Sequence, residues 1–258
     1  MSGIRAALWT LVMLLVVGCS SSPGRQNSAE VSPEKALEAY TQLGLQYLRA
    51  GDLVSAKDAL QRAVEISDSY AGTYNALALV FQVEQEYALA EQHFRKAVSL
   101  EPETASFHNN FGAFLYAQGR YSEACTELER ATEDPFYTQR AQAFENLGRC
   151  FRVIQRPDAA QHAFERTLRL SPNRPQALLE LAAIQLEANR LPEARQSFDK
   201  FSQLIDSRQV EHSAQSLWLG IQLSREGGSS TRGATFALLL KNIFPQSAEY
   251  ANYKESLQ

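Results

Sequence analysis

Between Asn109 and Ala131 the hydrophobic and polar positions follow the helical period twice, broken by a polar turn at Gly119-Arg120. Phe111, Leu115 and Leu128 mark the apolar stripes, and a small residue stands in each: Gly112 in the first, Ala124 in the second. This predicts two antiparallel helices crossing closely, small residue against small residue, with large side chains filling either side.

The same pattern recurs along the chain. Stepping back 34 residues from Gly112 reaches Ala78, and a second step reaches Gly44. Stepping forward reaches Gly148, with two residues inserted around Asp134-Pro135, and then Ala182. The bulky residue before the small one keeps time as Leu43, Leu77, Phe111, Leu147 and Leu181. The small residue twelve positions later does so as Ala56, Ala90, Ala124, Ala160 and Ala194, followed four further on by Leu60, Phe94, Leu128, Phe164 and Phe198. A 34-residue helix-turn-helix period with these columns resembles the tetratricopeptide repeat, which implies an all-α fold, a superhelical solenoid of about six repeats.

The repeats are expected at 33–68, 69–102, 103–138, 139–172 and 173–207. A degenerate sixth or cap is expected over 208–246 and a short tail over 247–258, since a terminal repeat has one face without a neighbour. Ser32-Pro33-Glu34 supplies a cap, a first-turn proline and a dipole-complementing carboxylate for the first helix. Most turns carry Gly or Pro: Gly51-Asp52, Gly119-Arg120, Arg156-Pro157 and Leu191-Pro192. The second repeat departs from this with Gln85-Glu86. Pro102 and Pro172 close second helices.

The first 18 residues break the pattern. Arg5 precedes an uncharged apolar run from Ala6 to Val17, too short for a comfortable bilayer span, and so reads as a signal peptide. Its end, Val16-Val17-Gly18-Cys19, resembles the bacterial lipobox, which implies cleavage before Cys19 and lipidation of that residue with diacylglycerol and an N-acyl chain such as palmitate. An ordinary signal peptide with an incidental cysteine is the alternative. Lipoprotein sorting reads the next residue, and Ser20 rather than Asp implies the outer membrane, with the fold on its periplasmic face. Residues 19–32 are polar and aperiodic, which suits a flexible tether.

Composition agrees with a core-forming helical protein: 45% hydrophobic, 21% charged, and only 13 Gly in 258 residues. Without Arg5 the mature chain carries 24 Lys and Arg against 29 Asp and Glu, a balance that argues against nucleic-acid binding. No nucleophile elbow, phosphate loop or metal-spaced cluster is present, and His93, His108, His162 and His212 are scattered. The sequence therefore predicts no catalytic residue, no metal, no cofactor and no small-molecule substrate. Cys125 and Cys150 fall on adjacent helices of repeats three and four; two buried thiols are the preferred reading, with a disulfide as the alternative that an oxidising compartment permits.

In this repeat family the concave groove is lined by positions two, five, nine, twelve and thirteen of each first helix, counting the small residue as eight. Glu38, Thr41, Leu45, Leu48 and Arg49 hold these positions in the first repeat, and Gly72, Asn75, Leu79, Gln82 and Val83 in the second. Leu45, Leu48, Leu79 and Val83 are thus expected to form an exposed apolar stripe, the mark of an interaction site, unless the N-terminal segment covers it. Further along, Asn75, Asn109, Asn110, Tyr116, Glu145, Arg149 and Arg152 are candidate partners for peptide backbone or carboxylates, though such residues are also ordinary polar lining.

Lipobox, tether and repeat array, with Leu-Gly-Leu-Gln-Tyr-Leu at 43–48, Asn-Asn-Phe-Gly-Ala-Phe-Leu-Tyr at 109–116 and Phe-Glu-Asn-Leu-Gly at 144–148, resemble the type IV pilus biogenesis and stability lipoproteins. That family's members are pilotins of the pilus secretin. The resemblance implies that the chain binds secretin subunits, brings them to the outer membrane for multimerisation, and so supports pilus biogenesis and twitching motility. A repeat array by itself says only that protein is bound. A scaffold or regulator for outer-membrane protein insertion, or for a cell-wall enzyme, is the rival reading.

Overall fold

The computed structural model describes residues 32–227 and 230–258. The signal peptide, Cys19 and the tether to Val31 lie outside the described residues, as do Gly228 and Ser229.

Among the described residues thirteen helices follow one another, twelve of them as antiparallel pairs. The pairs are α1 (Pro33–Ala50) with α2 (Leu53–Ile66), α3 (Ala71–Val83) with α4 (Tyr87–Leu100), and α5 (Ala105–Ala117) with α6 (Tyr121–Ala131). Then come α7 (Arg140–Val153) with α8 (Pro157–Leu170), α9 (Pro175–Glu187) with α10 (Leu191–Asp206), and α11 (Ala214–Glu226) with α12 (Ser230–Ile243). α13 (Ala248–Glu255) ends the chain. Each pair packs on the next, which gives an all-helical tetratricopeptide solenoid.

Within a pair the crossing is set by residues sixteen apart. A Cβ added to Gly44 would stand 2.5 Å from Leu60 Cγ, and one added to Gly112 would stand 2.7 Å from Leu128 Cγ. Gly148 against Phe164 and Gly220 against Phe236 repeat the relation at 2.7 Å. Between pairs, the bulky column reaches back: Phe111 of α5 stacks on Phe94 of α4 with ring centroids 5.7 Å apart. Leu77, Phe111, Leu147 and Leu181 are buried this way, whereas Leu43 is 36% exposed. The expectation of Leu43 as core is corrected here, because no earlier pair exists among the described residues to cover it.

The five turns inside the pairs from α1–α2 to α9–α10 share one geometry, which Arg208 repeats after α10. Gly51, Gln85, Gly119, Gln155 and Asn189 all take positive φ, between 56° and 79°. At the first, Gly51 N–H donates to Leu48 O and Asp52 N–H to Tyr47 O, both at 3.0 Å, and the other four repeat the same two bonds. This is the Schellman closure of a helix, which glycine enters freely and other residues enter at a cost. Gln85 therefore makes the turn that the missing glycine left open in the sequence. Pro157 and Pro192 stand in the first turns of α8 and α10, where no amide partner is needed.

One further feature differs from expectation. Cys125 of α6 and Cys150 of α7 are joined by a disulfide, Sγ–Sγ 2.26 Å and Cα–Cα 5.6 Å, which corrects the reading as separate thiols. The short tail carries α13: Ser247 caps it by accepting from Tyr250 N–H, and Tyr253 meets the Trp218 ring edge-on at 6.5 Å.

Candidate functional site: the inner face of the first helices

The first helices α1, α3, α5, α7, α9 and α11 lie side by side along the array. Adjacent first helices are tied by polar side chains whose register follows from the repeat. Thr41 Oγ1 and Thr73 Oγ1 are 2.8 Å apart and both buried. Asn110 Nδ2 donates to Asn75 Oδ1 and Asn146 Nδ2 to Asn109 Oδ1, each at 3.1 Å. Arg174 Nε donates to Glu145 Oε2 at 2.8 Å, and its other arm reaches Gln142 Oε1. Arg152 forks onto Glu187 at 2.7 and 2.8 Å and approaches Glu180 at 3.5 Å. Pairing of this kind leaves no buried side-chain polar atom unpartnered among the described residues.

The expected groove residues do not share one environment. Thr41 is buried, which corrects its placement as groove lining. Leu45 and Leu48 are half-buried, packing on the cluster of Ala56, Leu60, Ala76, Leu77 and Val80, and Leu79 packs on the next cluster along. Only Val83 stands well out, at 58% exposed. The stripe is therefore a shallow apolar strip whose inner edge is core. Asn75 and Asn109 are 8% and 6% exposed, with their carbonyl oxygens occupied by the following repeat. What they can offer a partner is the remaining amide N–H.

Tyr116 and Arg149 come together. The Arg149 guanidinium carbon lies 5.3 Å from the Tyr116 ring centroid, and the pair frames a cleft with Ala113 and Asn146. Tyr116 is held from behind by the edge of Tyr121, centroids 5.2 Å apart. A wider hollow of about 620 Å³ opens at the C-terminal end between Leu186, Glu187, Trp218 and Arg225. Sequence reasoning stopped short of it, although Leu186 and Arg225 occupy the same groove positions, twelve and thirteen, as Leu48 and Arg49. Arg225 lies 5.9 Å from the Trp218 ring centroid and 5.5 Å from that of Tyr253, and donates to Ser256 Oγ at 2.8 Å.

Charge is concentrated elsewhere in one buried pair. His108 is 1% exposed, with Nδ1 2.6 Å from Glu127 Oε2 and Nε2 2.8 Å from Pro102 O. Burial pushes the imidazole down, but the Glu127 hydrogen bond, the Pro102 carbonyl and the Glu127 charge outweigh it, so its pKa is raised. A carboxylate and a carbonyl at the two ring nitrogens both favour the protonated ring over the neutral one. Among the described residues no group of three His, Cys, Asp or Glu is placed to hold a metal, and no helix is long and apolar enough to cross a membrane.

Tetratricopeptide repeat family models match residues 37–70, 75–138 and 146–204. Over 253 residues the chain is 38% identical to the type IV pilus assembly protein PilF of Pseudomonas aeruginosa, spanning 97% of this chain and 98% of that protein. The chain belongs to the PilF family. A solved structure of Pseudomonas aeruginosa PilF superposes with a TM-score of 0.80 at 38% identity, covering 87% of this chain and 99% of that one. PilW, described as a widely conserved type IV pilus biogenesis factor, superposes with a TM-score of 0.70 at 25% identity, covering 85% and 98%. The inner face described above is thus that of a PilF-type repeat protein of type IV pilus biogenesis, a protein that works through protein partners.

Proposed function

We propose that this chain is a non-enzymatic lipoprotein that serves as pilotin for the type IV pilus secretin. Its repeat groove binds secretin subunits, and its lipidated Cys19 carries them to the periplasmic face of the outer membrane, where they multimerise. The observation that carries this reading is the end-to-end match to PilF, 97% of this chain against 98% of that protein. The inner face supports binding rather than turnover, since its polar side chains are tied to one another across repeats. Several acyl chains at ~0.8 kcal/mol per buried methylene would anchor the fold essentially permanently.

The test is Cys19→Ala in cells. The expected result is a folded, soluble periplasmic solenoid, with secretin subunits accumulating unassembled at the inner membrane and pili lost. Secretin that multimerises normally at the outer membrane in the complete absence of this protein would overturn the reading.

A further inference from the structure

The first helices lie side by side in register, so all of them begin on one edge of the solenoid, the edge where the second helices end. Three connections along that edge take four residues each: 67–70, 101–104 and 171–174. The connection from α6 to α7 takes eight, 132–139, and carries Phe136, at 89% the most exposed large hydrophobic side chain among the described residues. Since four residues close the neighbouring junctions, packing one repeat on the next does not call for a phenylalanine here. The loop is nonetheless braced around it. Phe136 N–H donates to Asp134 Oδ1 at 2.8 Å, Tyr137 N–H to Asp134 O at 3.3 Å, and Arg140 Nε to Thr132 O at 2.8 Å, while Pro135 fixes the backbone in front of the ring. Beside it Pro135, Tyr137 and Leu170 border a hollow of about 500 Å³, with Leu170 itself 50% exposed at the end of α8.

What faces this edge follows from where the chain enters it. α1 begins there at Pro33, and Cys19 stands thirteen residues before Ser32. At no more than ~3.5 Å per residue those thirteen reach about 45 Å. First helices packed ~8–10 Å apart put the start of α7 roughly 30 Å along the edge from the start of α1. A bilayer that holds Cys19 is therefore within reach of Phe136. Charge selects the kind of surface: Glu103, Glu133 and Asp134 line the adjoining hollow against one arginine, Arg130. Arg140 and Arg174, at the starts of α7 and α9, are engaged by the Phe144 ring and by Glu145. Negative charge next to the ring disfavours an anionic surface and leaves a zwitterionic one.

We propose that this edge of the solenoid rests on the bilayer that holds Cys19, with the Phe136 ring seated among the headgroups of zwitterionic lipid. The proposal rests on the lipid anchor and goes beyond it by fixing which edge faces the membrane, so that the inner face stays uncovered. One ring would not hold a free protein on a membrane, but a tether raises its local concentration enough for a weak contact to be populated.

The test replaces the lipid by a chemical anchor. The chain from Ser20 onward, with an N-terminal hexahistidine tag, is bound to phosphatidylcholine–phosphatidylethanolamine vesicles that contain nickel-chelating lipid and brominated phosphatidylcholine as quencher. Trp218 is the one tryptophan of this chain, and its emission is the background. Phe136→Trp should add an emission that shifts to the blue and is quenched roughly twofold or more on anchoring, because an aromatic ring at headgroup level lies next to the brominated acyl chains. Gln118→Trp, on the far edge at the turn between α5 and α6, should show neither change. Both variants should keep the native melting temperature, since both side chains are exposed. Adding phosphatidylglycerol should weaken the quenching, and imidazole, which releases the tag, should abolish it. An unquenched Phe136→Trp emission, or equal quenching of Gln118→Trp, would overturn the proposal, and so would quenching that strengthens with phosphatidylglycerol. If the ring is unquenched and Phe136→Ser leaves secretin unassembled in cells, Phe136 is a protein contact instead. The mass of the membrane-bound protein from cells scores the anchor separately: an unlipidated Cys19 would overturn the anchor and this orientation together, whereas a lipidated Cys19 with an unquenched ring overturns the orientation alone.

Discussion

Gly112 on α5 and Leu128 on α6 meet with no room between them: the first atom of any side chain at 112 would stand 2.7 Å from Leu128 Cγ and 3.2 Å from the Ala124 carbonyl oxygen. Leu128 is itself fully buried. It cannot swing away without opening the core of the third repeat. Gly112→Ala should therefore cost about 1–3 kcal/mol, and Gly112→Leu more, through overpacking rather than through any loss of helix propensity. Thermal and urea unfolding check this. An unchanged melting temperature for Gly112→Leu would show that the two helices do not cross there.

That relationship was legible in the sequence because it repeats. A column of small residues paired with a bulky residue sixteen later, in Gly44 with Leu60, Ala78 with Phe94, Gly148 with Phe164, fixes the phase of both helices. What lacked a repeat was harder to read. Leu43 follows its column but has no earlier pair among the described residues to bury it. α13 has only eight residues and no apolar stripe, and it becomes a helix because Trp218 and Arg225 give Tyr253 something to pack on. The inner face was half legible: its positions followed from the repeat, but which amide engages which depends on the register between repeats. That register buries Asn75 and Asn109 and leaves Arg149 out. The cysteine pair turned on an angle between α6 and α7 that spacing alone does not give.

The Cys125–Cys150 disulfide ties the third repeat to the fourth across the two-residue insertion, closing a loop of sequence separation 25. Loop closure of that size restricts the unfolded chain by ~3 kcal/mol. A Cys125→Ser, Cys150→Ser variant should fold to the same solenoid and unfold at lower urea by about that amount. Because both cysteines are buried, the native protein should resist mild reductant and lose the bond only on unfolding. Thiol counting before and after denaturation checks the second point.

His108 and Glu127 make stability depend on pH. The folded pKa of His108 is raised, so the native state binds its proton more tightly than the unfolded chain does. Its contribution is fully present below the unfolded value of about 6.5 and is lost as pH rises through the folded value. His93 and His212, pushed down by burial, act in the opposite sense below about 6.5. The difference in unfolding free energy between the native protein and His108→Gln therefore isolates the pair. It should be largest in mildly acid solution and shrink as pH rises above about 6.5; a difference that does not change with pH would mean that His108 is neutral in the fold.

Val83 is the clean probe of the apolar end of the groove. Replacing Leu45 and Leu48 by Asp would place carboxylates on side chains that already pack on Leu60, Leu77 and Val80, so loss of binding could not be separated from loss of the first repeat. Val83 is 58% exposed at the last position of α3, where a charge is readily hydrated in the free protein. Val83→Asp should leave the unfolding curve within ~0.5 kcal/mol of the native one. If the partner covers this strip, however, the same carboxylate loses its water on binding, at a cost of several kcal/mol and hence orders of magnitude in affinity. The expected phenotype is a stable, correctly anchored protein with secretin left unassembled, and Val83→Leu should restore assembly. Normal secretin multimers with Val83→Asp would place the partner beyond the second repeat, toward Tyr116 and Arg149, where a polar face rather than an apolar one makes the contact.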